Sequence, residues 1–273
     1  MKTFGLIGKS LTHSFSKQYF TEKFLQEKIQ GTEYHLFPLA IIEEIEELFK
    51  HPTLLGFNVT IPYKSEIIPF LDDLDTTAKE IGAVNCVIKQ NNQWIGYNTD
   101  VMGFEQTLQQ IEDQKTQSRR QKTEKSPSSF EGVPEGRGSL YKNKNSALIL
   151  GSGGASKAVS YVLQQKNIPL RIVSRKKTEE TITYNEITEE LIHHATFIIN
   201  TTPLGMFPNI NEMPQIPYTA LYSDHILIDL IYNPEETLFL KEGKKQGAFI
   251  INGLPMLKVQ ADASWELFMK LRQ

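Results

Sequence analysis

The stretch Ser146-Ala-Leu-Ile-Leu-Gly-Ser-Gly-Gly-Ala-Ser156 decides the fold of this chain. Its first half is an apolar run typical of a buried strand, its second half is a glycine-rich turn, and residues 157–166 have the pattern of a helix. A strand, a glycine turn and a helix in this order form a phosphate-binding cradle at a helix N-terminus. We therefore predict a dinucleotide site, held by Gly151, Ser152, Gly153, Gly154 and Ala155.

The strand that follows indicates which dinucleotide is bound. The run Leu170-Arg-Ile-Val-Ser174 leads into Arg175-Lys-Lys177, where a site for NAD usually has an acidic residue on the ribose. A cation suits a 2′-phosphate, which a planar guanidinium can bind in bidentate fashion. We therefore predict NADP, with Ser174, Arg175 and Lys176 among its contacts. Lys177 is an alternative to Lys176, and a solvated side chain is an equal alternative for each lysine.

A polar segment follows a later apolar run. Asn200-Thr-Thr-Pro-Leu-Gly-Met206 comes at the carboxyl end of a predicted strand, which is the edge of an open α/β sheet where ligands bind. Thr201 and Thr202 are predicted to line the nicotinamide side of the site. Taken alone, the segment is more typical of an ordinary Asn/Thr/Pro turn.

Strand and helix patterns alternate along the rest of the chain, which predicts an α/β fold with mostly parallel sheets. Apolar residues at 41, 42, 45, 48 and 49 predict one of these helices, and residues 84–88 and 94–98 predict an antiparallel strand pair that turns at Asn91-Asn92. The segment from Glu112 to Asn145 interrupts this alternation, because it is polar and has few apolar residues. Such a composition buries too little surface to offset the entropy lost on ordering. It predicts a long, mobile loop between two domains.

The overall composition is that of an ordinary globular protein. Of 273 residues, 40% are hydrophobic and 22% are charged, and the net charge is -3. This balance favours neither a nucleic-acid partner nor a membrane. The single cysteine, Cys86, excludes an intramolecular disulfide and fits a reducing compartment. With no apolar run near the ~20 residues of a membrane span, and no signal-peptide pattern, we expect a soluble cytoplasmic protein without a metal.

The first part of the chain carries polar residues suited to catalysis. Asn58 and Thr60 lie on one face of a predicted strand, and Lys64 follows Pro62 where a helix would begin. Loss of solvent around an ammonium, as a second domain closes over it, makes it a usable acid or base. Asp100 comes at the start of another predicted helix, where a capping role is the alternative. Alone, Lys64 is more typical of a solvated surface lysine.

These stretches together resemble the shikimate dehydrogenase family, whose members are NADP-dependent enzymes that reduce 3-dehydroshikimate. The resemblance covers nearly the whole chain apart from residues 112–145, and Lys17 departs from it where the family usually has proline. The motifs that carry it are His13-Ser-Phe-Ser16, Asn58-Val-Thr-Ile-Pro-Tyr-Lys64, Gly82-Ala-Val-Asn85, Asn98-Thr-Asp100, Gly151-Ser-Gly-Gly154, Asn200-Thr-Thr-Pro203, Asp229-Leu-Ile-Tyr-Asn-Pro234 and Gly253-Leu-Pro-Met-Leu-Lys-Val-Gln-Ala261.

The resemblance implies two domains with a cleft between them. An N-terminal α/β substrate domain would span 1–101 and be completed by the C-terminal helix 253–273; a Rossmann-like NADP domain would span 102–252, with the insertion 112–145. It also implies a role for each matching residue. Lys64 and Asp100 would form the catalytic pair, and Gly253 and Met256 would contact the cofactor. The substrate would be bound by Ser14, Ser16, Asn58, Thr60, Asn85, Tyr232 and Gln260.

The activity expected from this resemblance is the reversible reduction of 3-dehydroshikimate to shikimate in chorismate and aromatic amino-acid biosynthesis. A dehydrogenase that also accepts quinate, or that uses NAD as readily as NADP, is the first alternative. A nucleotide-binding sensor without catalysis is disfavoured because Lys64 and Asp100 are both present. A folate-type dehydrogenase fits the hydroxyl-rich substrate set less well. The partner is a small molecule, and a monomer and a homodimer both remain open.

Overall fold

A computed structural model describes residues 1–12, 14–124 and 146–270, without the side chains of 118–124. The strands are β1 (Lys2–Gly8), β2 (Thr32–Pro38), β3 (Leu54–Val59), β4 (Asp73–Leu74), β5 (Cys86–Gln90), β6 (Gln93–Tyr97), β7 (Ala147–Leu150), β8 (Leu170–Ser174), β9 (Thr181–Thr183), β10 (Phe197–Asn200), β11 (Ile226–Asp229) and β12 (Phe249–Ile251). The helices are α1 (Phe15–Gln26), α2 (Ile45–Phe49), α3 (Thr76–Ile81), α4 (Asp100–Glu124), α5 (Gly154–Gln165), α6 (Glu189–His194), α7 (Leu238–Lys245) and α8 (Leu254–Lys270).

The chain divides into two compact units. Unit 1 comprises Met1–Met102, Gly153–Ala158 and Lys258–Gln273, and unit 2 comprises Gly103–Ser152 and Val159–Leu257. Each unit contains one sheet of six strands within the described residues. The α/β class predicted from the alternating patterns is therefore confirmed.

The sheet of unit 1 is mixed, with the strand order β2-β1-β3-β5-β6-β4. The strands β2, β1 and β3 run parallel, whereas β5 pairs antiparallel with both β3 and β6. The β5–β6 hairpin turns at Asn91 and Asn92, which both have positive φ angles, of 51° and 65°. Asparagine tolerates this left-handed backbone better than most residues. The antiparallel pair predicted from the two asparagines is thus confirmed.

Both faces of this sheet are covered. Leu6 and Ile7 are neighbours on β1, and they belong to different hydrophobic clusters, because successive side chains of a strand point to opposite faces. The cluster with Leu6 is strongly aromatic: Phe4 stacks on Phe268 of α8 with ring centroids 4.5 Å apart, and Phe20 of α1 stacks on Tyr34 at 4.3 Å. The helices α1 and α8 are therefore fixed to the strands that carry the candidate site.

The sheet of unit 2 is entirely parallel over its described strands, with the order β12-β11-β10-β7-β8-β9. The strand order reverses at β7, which leads into the glycine turn and α5, so that turn lies at the switch point where open α/β sheets bind ligands. The strand–turn–helix unit predicted at Ser146–Ser156 is confirmed, with α5 beginning at Gly154. β9 is an element that the sequence analysis missed.

Three local predictions differ from the structure. The helix α4 continues through the polar residues to Glu124, so the predicted loop is helical at its start; residues 125–145 lie outside the described residues, as does His13. Lys64 does not begin a helix, since residues 61–67 form turns before a 3-10 turn at Ile68–Phe70. The predicted helix over 41–49 is a 3-10 turn, Ile42–Glu44, followed by the short α2. Among the described helices, none combines the length and the apolar character needed to cross a membrane.

Candidate active site

An ion pair joins two segments of unit 1 that are distant in sequence. Lys64 Nζ lies 2.6 Å from Asp100 Oδ2, and the two side chains are only 15% and 5% exposed. The backbone of Lys64 is held by Val84, whose N–H donates to the Lys64 carbonyl at 2.7 Å. Asp100 is the first residue of α4. Because both charges have lost most of their water, the pair depends on this close, charge-assisted hydrogen bond.

The other carboxylate oxygen of Asp100 is held by Asn85. The Asn85 side-chain N–H₂ donates to Asp100 Oδ1 at 2.9 Å and to Thr99 Oγ1 at 2.9 Å. Its carbonyl oxygen accepts from the backbone N–H of Thr99 at 2.7 Å, so both ends of the amide are fixed. Gln260 Oε1 lies 3.4 Å from the same Asn85 nitrogen. The Asp100 carboxylate is therefore oriented through both of its oxygens.

Asn58 forms the next part of the same buried network. Its side-chain oxygen accepts from the Tyr34 hydroxyl at 2.9 Å. Its N–H₂ donates to Ser264 Oγ at 2.8 Å and to the backbone carbonyl of Asn85 at 3.2 Å. Asn58 is 6% exposed. With all its polar atoms engaged by protein groups, Asn58 is suited to supporting the site from behind.

Two predicted substrate residues lie at the start of α1. Ser14 is the N-cap of this helix, and its Oγ accepts from the backbone N–H of Ser16 at 3.2 Å. A cap accepts a hydrogen bond, so the hydroxyl proton of Ser14 is left for an acceptor such as a carboxylate. Burial raises the pKa of Tyr34 well above its ordinary value, and an interaction with the Ser16 side chain opposes the rise.

Thr60 comes directly after β3, beyond the strand on which it was predicted. Its backbone N–H donates to the carbonyl of Ile7 at 3.0 Å, which holds the residue beside β1. Its side chain is partly exposed. Thr60 is thus positioned by backbone hydrogen bonds at the carboxyl edge of two parallel strands.

The glycine turn of the predicted nucleotide site requires glycine at its first position. Gly151 has φ +111°, and a Cβ there would lie 2.6 Å from Thr201 Oγ1. At Gly153 a Cβ would meet nothing within 4 Å, so the turn is open at that point. Ser152 Oγ and Ser174 Oγ are 3.0 Å apart, which connects the turn to the end of β8. The N–H groups of the first turn of α5 can then bind phosphate oxygens.

The cations after β8 differ in their surroundings. Arg175 and Lys176 are exposed, whereas Lys177 forms a salt bridge with Glu186. The hydrogen bond from Lys177 lowers the pKa of the Glu186 carboxyl to about 2, with further contributions from Thr183. Because Lys177 is engaged by Glu186, Arg175 and Lys176 remain the better candidates for a 2′-phosphate.

The segment after β10 is held by a buried aspartate. Asn200 donates to Asp229 Oδ1 at 3.0 Å, while its own oxygen accepts from Thr202 N–H at 3.0 Å and Thr202 Oγ1 at 2.6 Å. The Thr201 hydroxyl donates to the Leu150 carbonyl at 2.8 Å. These bonds fix Thr201 and Thr202 beside the glycine turn, where a Cβ at Gly151 would contact both side chains.

Three further predicted residues lie in unit 2. Gly253 N–H donates to the Ile231 carbonyl at 3.0 Å, and a Cβ at Gly253 would clash with the carbonyl of Leu230. Met256 is buried in the first turn of α8. Tyr232 is partly exposed in the turns after β11. Within the described residues there is no group of three side chains that could hold a metal ion.

The family of the chain follows from comparisons with known proteins. Residues 6–87 match the family model described as the shikimate dehydrogenase substrate binding domain. A shikimate dehydrogenase (NADP(+)) of Methanococcus vannielii is 35% identical over an alignment of 284 positions, which covers 97% of this chain and 90% of the relative. The chain belongs to the shikimate dehydrogenase family.

Solved structures of shikimate dehydrogenases also resemble this chain along its length. One from Peptoclostridium difficile has a TM-score of 0.78 at 33% identity and covers 99% of this chain and 92% of its own. Another, solved in complex with NADP+, has a TM-score of 0.76 at 31% identity, with coverage of 98% and 90%. The predicted α/β architecture, a substrate domain followed by a Rossmann-like domain, is therefore confirmed at the level of the family.

Several site residues were missed by the sequence analysis. Thr99 was quoted only within a motif, and Tyr34, Ser264 and Asp229 were given no role. Ser264 could have been noticed as a small polar residue on the apolar side of the last helix, and Asp229 as an acid ending an apolar strand. No sequence pattern reveals their partners, since Ser264 is 206 positions from Asn58.

Proposed function

We propose that this chain catalyses the reversible, NADP-dependent reduction of 3-dehydroshikimate to shikimate, a step of chorismate and aromatic amino-acid biosynthesis. The observation that carries the proposal is the buried Lys64–Asp100 pair, with a distance of 2.6 Å between Nζ and Oδ2 and with Asn85 on the second carboxylate oxygen. Family membership supplies the substrate class, since the Methanococcus vannielii relative is named shikimate dehydrogenase (NADP(+)).

The pair provides the proton that the reduction needs. NADPH, when bound, supplies the hydride that reaches the carbonyl carbon. Lys64 Nζ–H donates its proton to the carbonyl oxygen as negative charge develops there, so that an N–H bond breaks and an O–H bond forms. The neutral amine then takes a proton from water. Asp100 accepts a hydrogen bond from Lys64 throughout and keeps Nζ oriented.

Polar side chains bind the substrate in this proposal, and those at its carboxylate are neutral. Ser14 and Ser16 donate to its carboxylate, which spares the protein the cost of burying a second cation. A wrong substrate would leave oriented polar groups without partners, and this cost provides selectivity for a ring with several hydroxyls. Tyr232 contacts the carboxylate and Asn58 supports the site. The ring hydroxyls are bound by Thr60, Asn85, Asp100 and Gln260.

The residues present fit NADP. The turn at Gly151 leaves no space for a Cβ yet is open at Gly153, as the close approach of a pyrophosphate requires. We assign substrate binding to 1–101 and 253–273, and cofactor binding to 102–252. The residues that would hold NADP are Gly151, Ser152, Gly153, Gly154, Ala155, Ser174, Arg175, Lys176, Thr201, Thr202, Gly253 and Met256.

A spectroscopic assay tests the proposal. Purified protein is supplied with shikimate or quinate, each with NADP or NAD, and the absorbance of the reduced nicotinamide is followed. We expect the highest kcat/KM for shikimate with NADP. Equal efficiency with NAD would contradict the cofactor assignment, and equal efficiency with quinate would contradict the substrate assignment. No turnover with any combination would exclude the dehydrogenase itself.

A further inference from the structure

Ser264 connects two asparagines of the candidate site. It lies on α8, is 0% exposed, and its Oγ is 2.8 Å from Asn58 Nδ2 and 3.0 Å from Thr99 Oγ1. Thr99 Oγ1 in turn accepts from Asn85 at 2.9 Å. We call the chain Asn58–Ser264–Thr99–Asn85 the hydroxyl bridge. It brings together a strand, the last helix, and the residue before Asp100.

The chemistry of these atoms fixes the direction of the first bond. Asn58 Nδ2 carries only donors, so Ser264 Oγ accepts from it. The single Ser264 proton is then given to the Gln260 carbonyl, 2.9 Å away, or to Thr99 Oγ1. In either case Ser264 both accepts and donates a hydrogen bond within the network that contains Asn85, the partner of Asp100.

Packing alone does not require a hydroxyl at this position. Ser264 is flanked on α8 by Ala263 and Trp265, which are both buried, and an alanine would fit the helix at least as well as serine. A buried hydroxyl is costly unless it is hydrogen-bonded. The Ser264 hydroxyl therefore contributes to hydrogen bonding with the polar groups around it, and not to the packing of the aromatic cluster.

The hydroxyl bridge also reaches the other end of the site. Asn58 Oδ1 accepts from the Tyr34 hydroxyl at 2.9 Å, and Tyr34 lies within electrostatic range of the Ser16 side chain. The proposed carboxylate-binding residue Ser16 and the acid–base pair are thus linked through Asn58 and Ser264. A displacement of Ser264 would therefore alter the interactions near Ser16 and near the Lys64–Asp100 pair.

We propose that Ser264 is a positioning residue of the reaction, which holds Asn58 and Thr99 so that Asn85 fixes the Asp100 carboxylate against Lys64. This role rests on the proposed function. Without the Ser264 hydroxyl, Asn58 Nδ2 keeps only its longer hydrogen bond, of 3.2 Å, to the backbone carbonyl of Asn85. Thr99 and Asn85 then gain freedom, and the orientation of Asp100 is less well defined.

The test is the Ser264→Ala enzyme, compared with Ser160→Ala. Ser160 is a matched control, because it is a buried helical serine whose hydroxyl has no partner among the described residues. We expect Ser264→Ala to lower kcat by roughly 5- to 30-fold, as for loss of one buried hydrogen bond. KM for shikimate should change less than kcat, and the pH profile of kcat should shift, whereas Ser160→Ala should keep both kcat and the profile.

The possible results separate the two proposals. A fully active Ser264→Ala enzyme with an active wild type would overturn the role of Ser264 alone. A wild type that turns over neither shikimate nor quinate would overturn the proposed function and this role with it. A loss of kcat that follows the loss of folded protein, measured by thermal unfolding, would also overturn the positioning role. If Ser264→Ala does not fold, Ser264→Cys replaces it, because a thiol of similar size is only a weak hydrogen-bonding group.

Discussion

Lys64 Nζ lies 2.6 Å from Asp100 Oδ2, although the two residues are 36 positions apart in the chain. The lysine comes from the turns after β3 and the aspartate from the first turn of α4, and Asn85 binds the second carboxylate oxygen at 2.9 Å. The proposed proton donor and the group proposed to orient it are therefore already in contact within unit 1. Such preorganisation is what general acid catalysis requires.

Replacement of Lys64 should abolish most of the activity without unfolding the protein. We expect Lys64→Ala to lower kcat by roughly 10²- to 10⁴-fold, the effect of losing a positioned general acid. Steady-state kinetics with shikimate and NADP measure it, and circular dichroism checks the fold. Lys79→Ala is the matched control, since Lys79 is an exposed lysine of unit 1. Unchanged turnover in Lys64→Ala would remove Lys64 from the mechanism.

Replacement of Arg175 should weaken binding of NADP selectively. A charge-assisted hydrogen bond contributes about 1.5–3 kcal/mol, so Arg175→Ala should raise the Kd for NADP by roughly 10- to 100-fold. The Kd for NAD, which has no 2′-phosphate, should stay nearly constant. Isothermal titration calorimetry measures both constants. Lys177→Ala is the control, because that lysine is bound to Glu186, and an equal loss of NADP affinity in both variants would contradict the assignment to Arg175.

The elements recovered from the sequence are those with a strong local signal. The strand before Gly151 is a continuous apolar run that ends in glycine, and Asn91-Asn92 identifies a hairpin because asparagine tolerates positive φ. The helix beyond Glu112 was missed because hydrophobic periodicity does not detect a polar helix. This part of α4 is stabilised by local interactions. Gln109 donates to Asp113 at 3.0 Å, four residues further along, and the sequence is rich in helix-forming residues.

The site was recovered only in part, for a different reason. Lys64, Asn85 and Asp100 each belong to a motif that resembles the shikimate dehydrogenase family, so the resemblance marks them as candidates. Tyr34 and Ser264 are joined to Asn58 by hydrogen bonds that span 24 and 206 positions. Contacts of this kind depend on how strands and helices pack, and the periodicity of a single sequence does not contain that information.

Loss of the Asp262 carboxylate should destabilise the α1–α8 contact. Asp262 Oδ1 accepts from the Tyr19 hydroxyl at 2.6 Å and from Lys23 Nζ at 2.7 Å. Because Asp262 is 48% exposed, solvent screens part of this interaction, and we expect Asp262→Ala to lower the free energy of unfolding by about 1–2 kcal/mol. Urea denaturation measures the change. Glu266→Ala, at an exposed position of the same helix, should change stability by less than about 0.5 kcal/mol.

The buried carboxyl of Asp229 should make stability fall as the pH rises from about 4 to 6. Burial raises the pKa of Asp229 from 3.8 to about 6, against hydrogen bonds from Thr237, Ile231 and Asn200 that lower it. In this window the folded state holds a proton that the unfolded state has released, so stability decreases with pH and is level above pH 6. The contribution is on the order of 3 kcal/mol. The neighbouring Tyr218 remains neutral between pH 4 and pH 6, because burial raises the pKa of its hydroxyl.

The Asp229→Asn protein isolates this contribution from other carboxyls that titrate in the same range. An amide keeps an acceptor for Asn200 and Ile231 but carries no charge at any pH. The difference in unfolding free energy, wild type minus Asp229→Asn, should therefore decrease between pH 4 and pH 6 and then stay constant. A difference that rises over this range would show that the folded protein favours the ionised carboxylate, and that the bonds from Thr237 and Asn200 outweigh the effect of burial.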